Sequence, residues 1–167
     1  MGVHVSVCPN HAVGRVTPFK TRGYVALSGT FGYELDITKL PSEERAMIPN
    51  QVALYKKFGE LVRNGDYYRI ASFSENHEYD SWASISQDKS KALVTVVQVL
   101  NHPNYKTRFI KVNGLKPDSK YRISWPDEKQ EDFPPMELTG RTLLHAGFPL
   151  RREWGDFHAK LIYIVEI

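Results

Sequence analysis

Met1-Gly2-Val3-His4-Val5-Ser6-Val7-Cys8-Pro9-Asn10-His11 opens the chain, and the fold turns on how these residues are read. Residues 2–8 alternate. Val3, Val5 and Val7 take one side and His4, Ser6 and Cys8 the other, which is the two-residue period of a strand. Cys8-Pro9-Asn10-His11 then breaks it. No turn precedes this strand, and it has no obvious partner within the chain. It reads as the middle of a larger protein, with the chemistry expected upstream of Met1.

Moving outward, Gly23, Gly29 and Gly32 rule out a long helix over residues 17–40, while Thr21 to Leu27 can form a short one. Pro41-Ser42-Glu43-Glu44 is a helix start, with Ser42 as cap and two glutamates at the positive end of the dipole. Pro49 is expected to end or bend this piece and to begin a second. Val52, Tyr55, Phe58, Leu61 and Val62 recur at helical spacing, so the second piece is amphipathic. Asn64-Gly65 terminates it.

After Gly65 the period changes to two. Ala92 to Leu100 is valine-rich and reads as a buried strand. Phe109 to Val112 is another, followed by turns at Asn113-Gly114 and Lys116-Pro117-Asp118-Ser119. Tyr121, Ile123 and Trp125 alternate with Lys120, Arg122 and Ser124, a half-solvated strand. Pro126 to Met136 is a polar loop. Phe157 to Ile167 alternates again and ties the C-terminus into a sheet. The fold class is therefore α+β. Residues 1–66 form a strand with helices, and residues 67–167 an antiparallel β-sandwich of about six to eight short strands.

Composition excludes several functions. The chain has 167 residues, 41% hydrophobic and 25% charged, which is globular rather than disordered. Its net charge of +3 is spread evenly, and the longest basic runs are pairs such as Lys56-Lys57 and Arg151-Arg152. No basic stripe for nucleic acid is visible. One cysteine allows no internal disulfide, and no apolar run is long enough for a membrane helix. A cytoplasmic protein without membrane or nucleic-acid partners is expected.

Candidate chemistry is sparse. Cys8 and His11, with His4 nearby, form a conceivable nucleophile pair, but two residues make a weak motif against a loop cysteine and a turn histidine. One cysteine and scattered histidines do not make a zinc site, and no metal is expected. Glu34 and Asp36 share a face if extended, as paired carboxylates for glycoside hydrolysis would. Asp36 lies close to a helix start, however, and reads better as a cap. Trp125 and Trp82 fit core packing better than sugar stacking, and Trp154 sits in a polar run. Gly14-Arg15 and Gly29-Thr30-Phe31-Gly32 lack the lysine and spacing of phosphate loops, so no cofactor is expected.

The run Met1 to Ser6, Cys8-Pro9-Asn10-His11, Gly14-Arg15, Thr21-Arg22-Gly23, Ala26 and Gly29-Thr30-Phe31-Gly32-Tyr33-Glu34-Leu35-Asp36 resembles glycoside hydrolase family 36, the microbial α-galactosidases. Gly65-Asp66-Tyr67-Tyr68-Arg69, Asp88 to Val94, Gly114-Leu115, Tyr121, Leu138, Gly140, Ala146-Gly147 and Gly155-Asp156-Phe157 continue the resemblance to the end of the chain. The chain departs from the pattern in the acidic loop from Trp125 to Met136, which is longer than expected, and at His145.

The resemblance implies the last strand and helices of a (β/α)₈ TIM barrel, followed by the C-terminal β-sandwich. On that view Val3, Val5 and Val7 pack on outer helices. Ser6, Cys8, Asn10 and His11 then lie at the rim of the substrate pocket, since barrel sites open at the strands' C-terminal ends. It also implies a retaining mechanism with two aspartates, both upstream of the segment matching Met1, so no catalytic residue is assigned in this chain. The parent would release terminal α-linked galactose from a galactoside oligosaccharide such as melibiose or raffinose, as a homo-oligomer. The alternative is a non-catalytic β-sandwich module for support, oligomerisation or weak carbohydrate binding.

Overall fold

The computed structural model describes residues 2–104, 107–129, 131–151 and 153–167; Met1 and Arg152 of the basic pair lie outside the described residues. Strand β1 (Val5–Ser6) leads through a loop to helix α1 (Phe19–Ala26) and then to β2 (Tyr33–Glu34). The two strands are parallel, with Val5 opposite Tyr33 and Ser6 opposite Glu34. A bridge joins Gly2 to Thr30, and the Val5 amide donates to the Gly32 carbonyl at 2.8 Å. The opening strand therefore does have a partner inside the chain, which corrects the expectation that it had none. Parallel pairing needs a crossover, and α1 supplies it. The partner hid behind Gly29 and Gly32, which read locally as turn residues.

Val5 is fully buried with Phe19 and Ala26, and Val3 and Tyr33 pack against them. Val7 does not join this face and is 47% exposed, because regular pairing stops at Ser6. Helix α2 (Ser42–Asn64) crosses α1 at Gly23. A Cβ there would lie 2.3 Å from the Gln51 side chain. Gln51 is buried, donates to the Phe19 carbonyl (3.1 Å) and accepts from the Tyr33 hydroxyl (2.9 Å), so its amide is satisfied. The two expected helical pieces are one 23-residue helix with Pro49 inside it. Pro49 and Arg45, whose carbonyl loses its helical partner, are both exposed, so water can satisfy that carbonyl. Ser42 is the first helical residue rather than the cap. Pro41 holds the cap position, with no side-chain bond to the helix end.

From Asp66 the chain is mainly strand. In order come β3 (Asp66–Ala71), the one-turn helix α3 (Phe73–Asn76), β4 (Tyr79–Ile85), β5 (Lys91–Gln98), β6 (Arg108–Ile110), β7 (Lys120–Ser124), β8 (Met136–Thr139), α4 (Gly140–His145), β9 (Phe148–Leu150) and β10 (His158–Glu166). Six strands form one antiparallel sheet in the order β3-β4-β5-β10-β7-β8, and β6 pairs with β9 as a separate ribbon. The α+β class and the antiparallel sheet are those expected. One face of the sheet packs Val94, Val96, Ile123, Ile162 and Ile164 against Ile110, Leu143 and Phe148 of the ribbon and α4. The opposite face packs Leu93, Ala159 and Leu161 against Tyr24 and Leu27 of α1 and Leu54 and Phe58 of α2.

The acidic loop after β7 faces inward to a cluster of basic and polar groups. Glu128 accepts from Lys20 of α1 (2.8 Å) and Lys160 of β10 (3.1 Å). Asp127 accepts from the Tyr24 hydroxyl and the Asn50 amide, and Lys160 also pairs with Glu153. The Lys160 side chain is only 5% exposed and lies over the Phe133 ring at 4.2 Å. A buried ammonium costs several kcal/mol unless it is paired, and the two carboxylates offset that cost. Burial, then the bond to Asp127, raises the Tyr24 hydroxyl well above the ordinary tyrosine range, so it remains a donor.

Burial raises the Glu128 carboxyl, but hydrogen bonds from Lys20 and Lys160 outweigh it and hold it below the ordinary glutamate value. Such a group stabilises the fold above its unfolded pKa, and that stabilisation is lost as pH falls through the folded pKa. The Tm gap between wild type and Glu128→Gln should therefore narrow as pH falls below about 4.3. A gap that stays constant from neutral pH into acid, measured by thermal melts, would contradict this. Gly147 offers a second test. It sits at φ +76°, and a Cβ there would lie 2.4 Å from the Ile110 carbonyl oxygen. Gly147→Ala should cost about 1–3 kcal/mol in urea unfolding, through left-handed strain and the backbone clash.

Candidate functional site

The parallel pair has a covered side and an open side. Val5 and Tyr33 face the helices, while His4, Ser6 and Glu34 project from the opposite face. His4 Nε2 lies 3.0 Å from Glu34 Oε2, and both side chains are at least half exposed. The open face is thus polar, and the C-terminal ends of β1 and β2 place Ser6 beside Glu34.

Beyond Ser6 the chain forms a compact loop. Cys8-Pro9 is a cis peptide. The Asn10 side chain accepts from the Ala12 and Val13 amides at 3.0 and 3.1 Å. The Asn10 amide donates to the Arg15 carbonyl, and Gly14, at φ +66°, donates back to the Asn10 carbonyl. Asn10 therefore shapes the loop with its own side chain. Cys8 is half-buried, and its Sγ points to the Thr17 carbonyl at 3.7 Å. His11 is exposed at the tip, and among the described residues no hydrogen bond joins it to Cys8. The conceivable Cys8–His11 pair is not assembled. Ser6, Cys8, Asn10 and His11 thus follow one another along a single strand end and loop.

The loop is held at its base. Arg22 of α1 reaches the carbonyls of Ser6 and Thr17 and the carboxylate of Glu44. On the other side Arg15 lies over the Phe157 ring at 5.5 Å, and the Thr21 hydroxyl donates to the Phe157 carbonyl at 2.7 Å. Arg22 was not singled out for any role in the sequence. The only signal for it was its place inside Thr21-Arg22-Gly23.

Glu34 and Asp36 do not act as a carboxylate pair. Glu34 meets His4, whereas Asp36 caps the 3₁₀ turn Ile37–Lys39 by accepting from the Thr38 amide and hydroxyl. Those bonds hold the Asp36 carboxyl below its usual range. Trp125 packs in the sandwich core as expected, Trp82 is half-buried on β4, and Trp154 is 93% exposed. A cavity of about 330 Å³ opens between α1, α2 and the acidic loop, lined by Lys20, Tyr24, Asn50 and Asp127. Another of about 290 Å³ lies where α2 meets the β4–β5 hairpin, lined by Lys57, Leu61, Gln87 and Tyr163. Among the described residues no helix is long and apolar enough to cross a membrane.

Known proteins share this geometry. Residues 1–65 match the family described as Melibiase, and residues 79–164 match the glycosyl hydrolase family 36 C-terminal domain. The bifunctional alpha-galactosidase/sucrose kinase AgaSK of Mediterraneibacter gnavus is 41% identical over 90% of the chain, which spans 15% of that protein. Alpha-galactosidase Mel36A of Lactobacillus acidophilus is 40% identical over the whole chain, which spans 21% of it. Among solved structures, a variant of GH36 alpha-galactosidase AgaA from Geobacillus stearothermophilus in complex with raffinose superposes with a TM-score of 0.89 at 40% identity. That match covers 100% of this chain and 22% of the other. The chain thus spans about a fifth of the length of these relatives. Over that length both of its parts, the β-α-β unit with its long helix and the sheet with its ribbon, fall within matched segments, and the chain belongs to glycosyl hydrolase family 36.

Proposed function

We propose that this chain is the C-terminal part of an α-galactosidase that releases terminal α-linked galactose from oligosaccharides such as melibiose and raffinose. Residues 1–66 are the end of its catalytic barrel, and residues 67–167 are its C-terminal β-sandwich. The observation that carries the reading is the β-α-β unit. Its parallel strands cover one face with helices and leave the other polar and open, as barrel staves do before the remaining strands close around them. The solved relatives bound to raffinose and stachyose support the substrate class.

In this reading Ser6, Cys8, Asn10 and His11 belong to the pocket rim, at the C-terminal ends of the strands. Retaining hydrolysis needs two carboxyl groups about 5–5.5 Å apart, one attacking the anomeric carbon and one protonating the leaving oxygen. Glu34 and Asp36 are engaged by His4 and Thr38 respectively, and in this reading the pair is supplied by residues outside this chain. The chain's own part is to shape the rim and brace the barrel. The bracing is supported by Lys20, Tyr24 and Asn50, which bind the acidic loop of the sandwich. Homo-oligomeric assembly and a cytoplasmic setting complete the proposal.

The purified 167-residue chain should not turn over an aryl α-galactoside, whereas the polypeptide read from the open frame upstream of Met1 should. Turnover by the chain alone, or an upstream frame whose product leaves galactosides intact, would overturn the proposal.

A further inference from the structure

We propose that Arg22 is a positioning residue that sets the rim loop, residues 7–17, for an oligosaccharide substrate; the inference rests on the functional reading above. Its Nε donates to the Thr17 carbonyl at 3.0 Å and its Nη1 to the Ser6 carbonyl at 2.7 Å. Nη2 reaches both carboxylate oxygens of Glu44 at 3.0 Å. The guanidinium lies over the Phe19 ring at 5.0 Å, and the side chain is 9% exposed.

These partners explain the role. Ser6 ends β1 and Thr17 immediately precedes α1's cap, so their carbonyls are the two feet of the loop. Glu44 comes from the first turn of α2. One cation therefore fastens both feet to one helix and braces them against a second. Within the loop the bonds join loop residues to one another: Asn10 to Ala12 and Val13, Asn10 with Gly14 and Arg15, and Cys8 Sγ to the Thr17 carbonyl. Such bonds fix the shape of the loop but not its tilt on the strand end. The tilt is set at the feet, by Arg22 and by the lateral contact of Arg15 with Phe157. A guanidinium presents donors in one plane and in fixed directions, which an ammonium does not. A lysine at this position would keep the charge opposite Glu44 and lose the fork that spans two carbonyls. A purely charge-balancing role would tolerate that change, whereas a positioning role would not.

The test uses Arg22→Lys, Arg22→Gln and Glu44→Gln. In the full-length enzyme, kcat and KM are measured for raffinose and for a small aryl α-galactoside. In the 167-residue chain, amide exchange is followed across residues 7–17 and in β5 and β10. Arg22→Lys should hold the exchange of β5 and β10 while speeding that of residues 7–17. It should also raise KM for raffinose about tenfold more than KM for the aryl galactoside, with kcat little changed. Wild-type KM for raffinose in Arg22→Lys overturns the proposal, whether or not exchange changes. Should the Arg22 variants fail to fold, Glu44→Gln leaves both carbonyl bonds in place and should raise the same KM by a smaller factor, so an unchanged KM overturns it too. A wild-type full-length protein inactive on both substrates would sink the functional reading. In that case unchanged exchange at residues 7–17 in Arg22→Lys would still overturn the clamp, and faster exchange would support it.

Discussion

The burial of β10 on both faces is the constraint on which the rest of the structure depends. This last strand lies between β5 and β7, and its hydrogen bonds join the two halves of the six-stranded sheet. Ile162 and Ile164 enter the sandwich core, while Ala159 and Leu161 enter the core under α1 and α2. A strand buried on both sides couples whatever covers each side. The helices of the N-terminal segment and the ribbon of the C-terminal segment are thus packed on the same few residues. Large apolar side chains contribute about 1.5–3 kcal/mol each when fully buried, so the two cores together outweigh any single surface contact.

Lys160 marks where that coupling becomes polar. It occupies a buried position on the same strand, and its charge is matched by Glu128 from the acidic loop and by Glu153. Glu128 and its neighbour Asp127 also reach Lys20, Tyr24 and Asn50 on the helices. The acidic loop therefore adds a polar fastening between the chain's two parts to the apolar one made by β10. An ion pair at this depth adds directional specificity more than net stability, because desolvation consumes much of its attraction.

The same division between shape and attachment holds at the loop that follows β1. Its shape is local and follows from Asn10, Gly14 and Pro9, residue types that favour turns. Its attachment depends on Arg22 and on Phe157, which is far away in sequence. Parent activity, on our proposal, requires residues beyond this chain, and what this chain contributes is the placement of that rim.

Much of this was legible in the residues themselves. Period-two runs marked β5, β7 and β10, helical spacing marked α2, and Asn64-Gly65 marked its end, because periodicity and turn chemistry are local. The family could be read from the motifs near the N-terminus for the same reason. Asp36 was recognisable as a cap because capping needs only residues two positions away. Pairing was not legible. That β1 finds β2, that α2 continues through Pro49, that Lys160 is buried and that Arg22 holds two carbonyls were decided by tertiary structure. Each depends on groups brought together from distant parts of the chain, and no local pattern encodes where a second strand, a neighbouring helix or a compensating carboxylate will be.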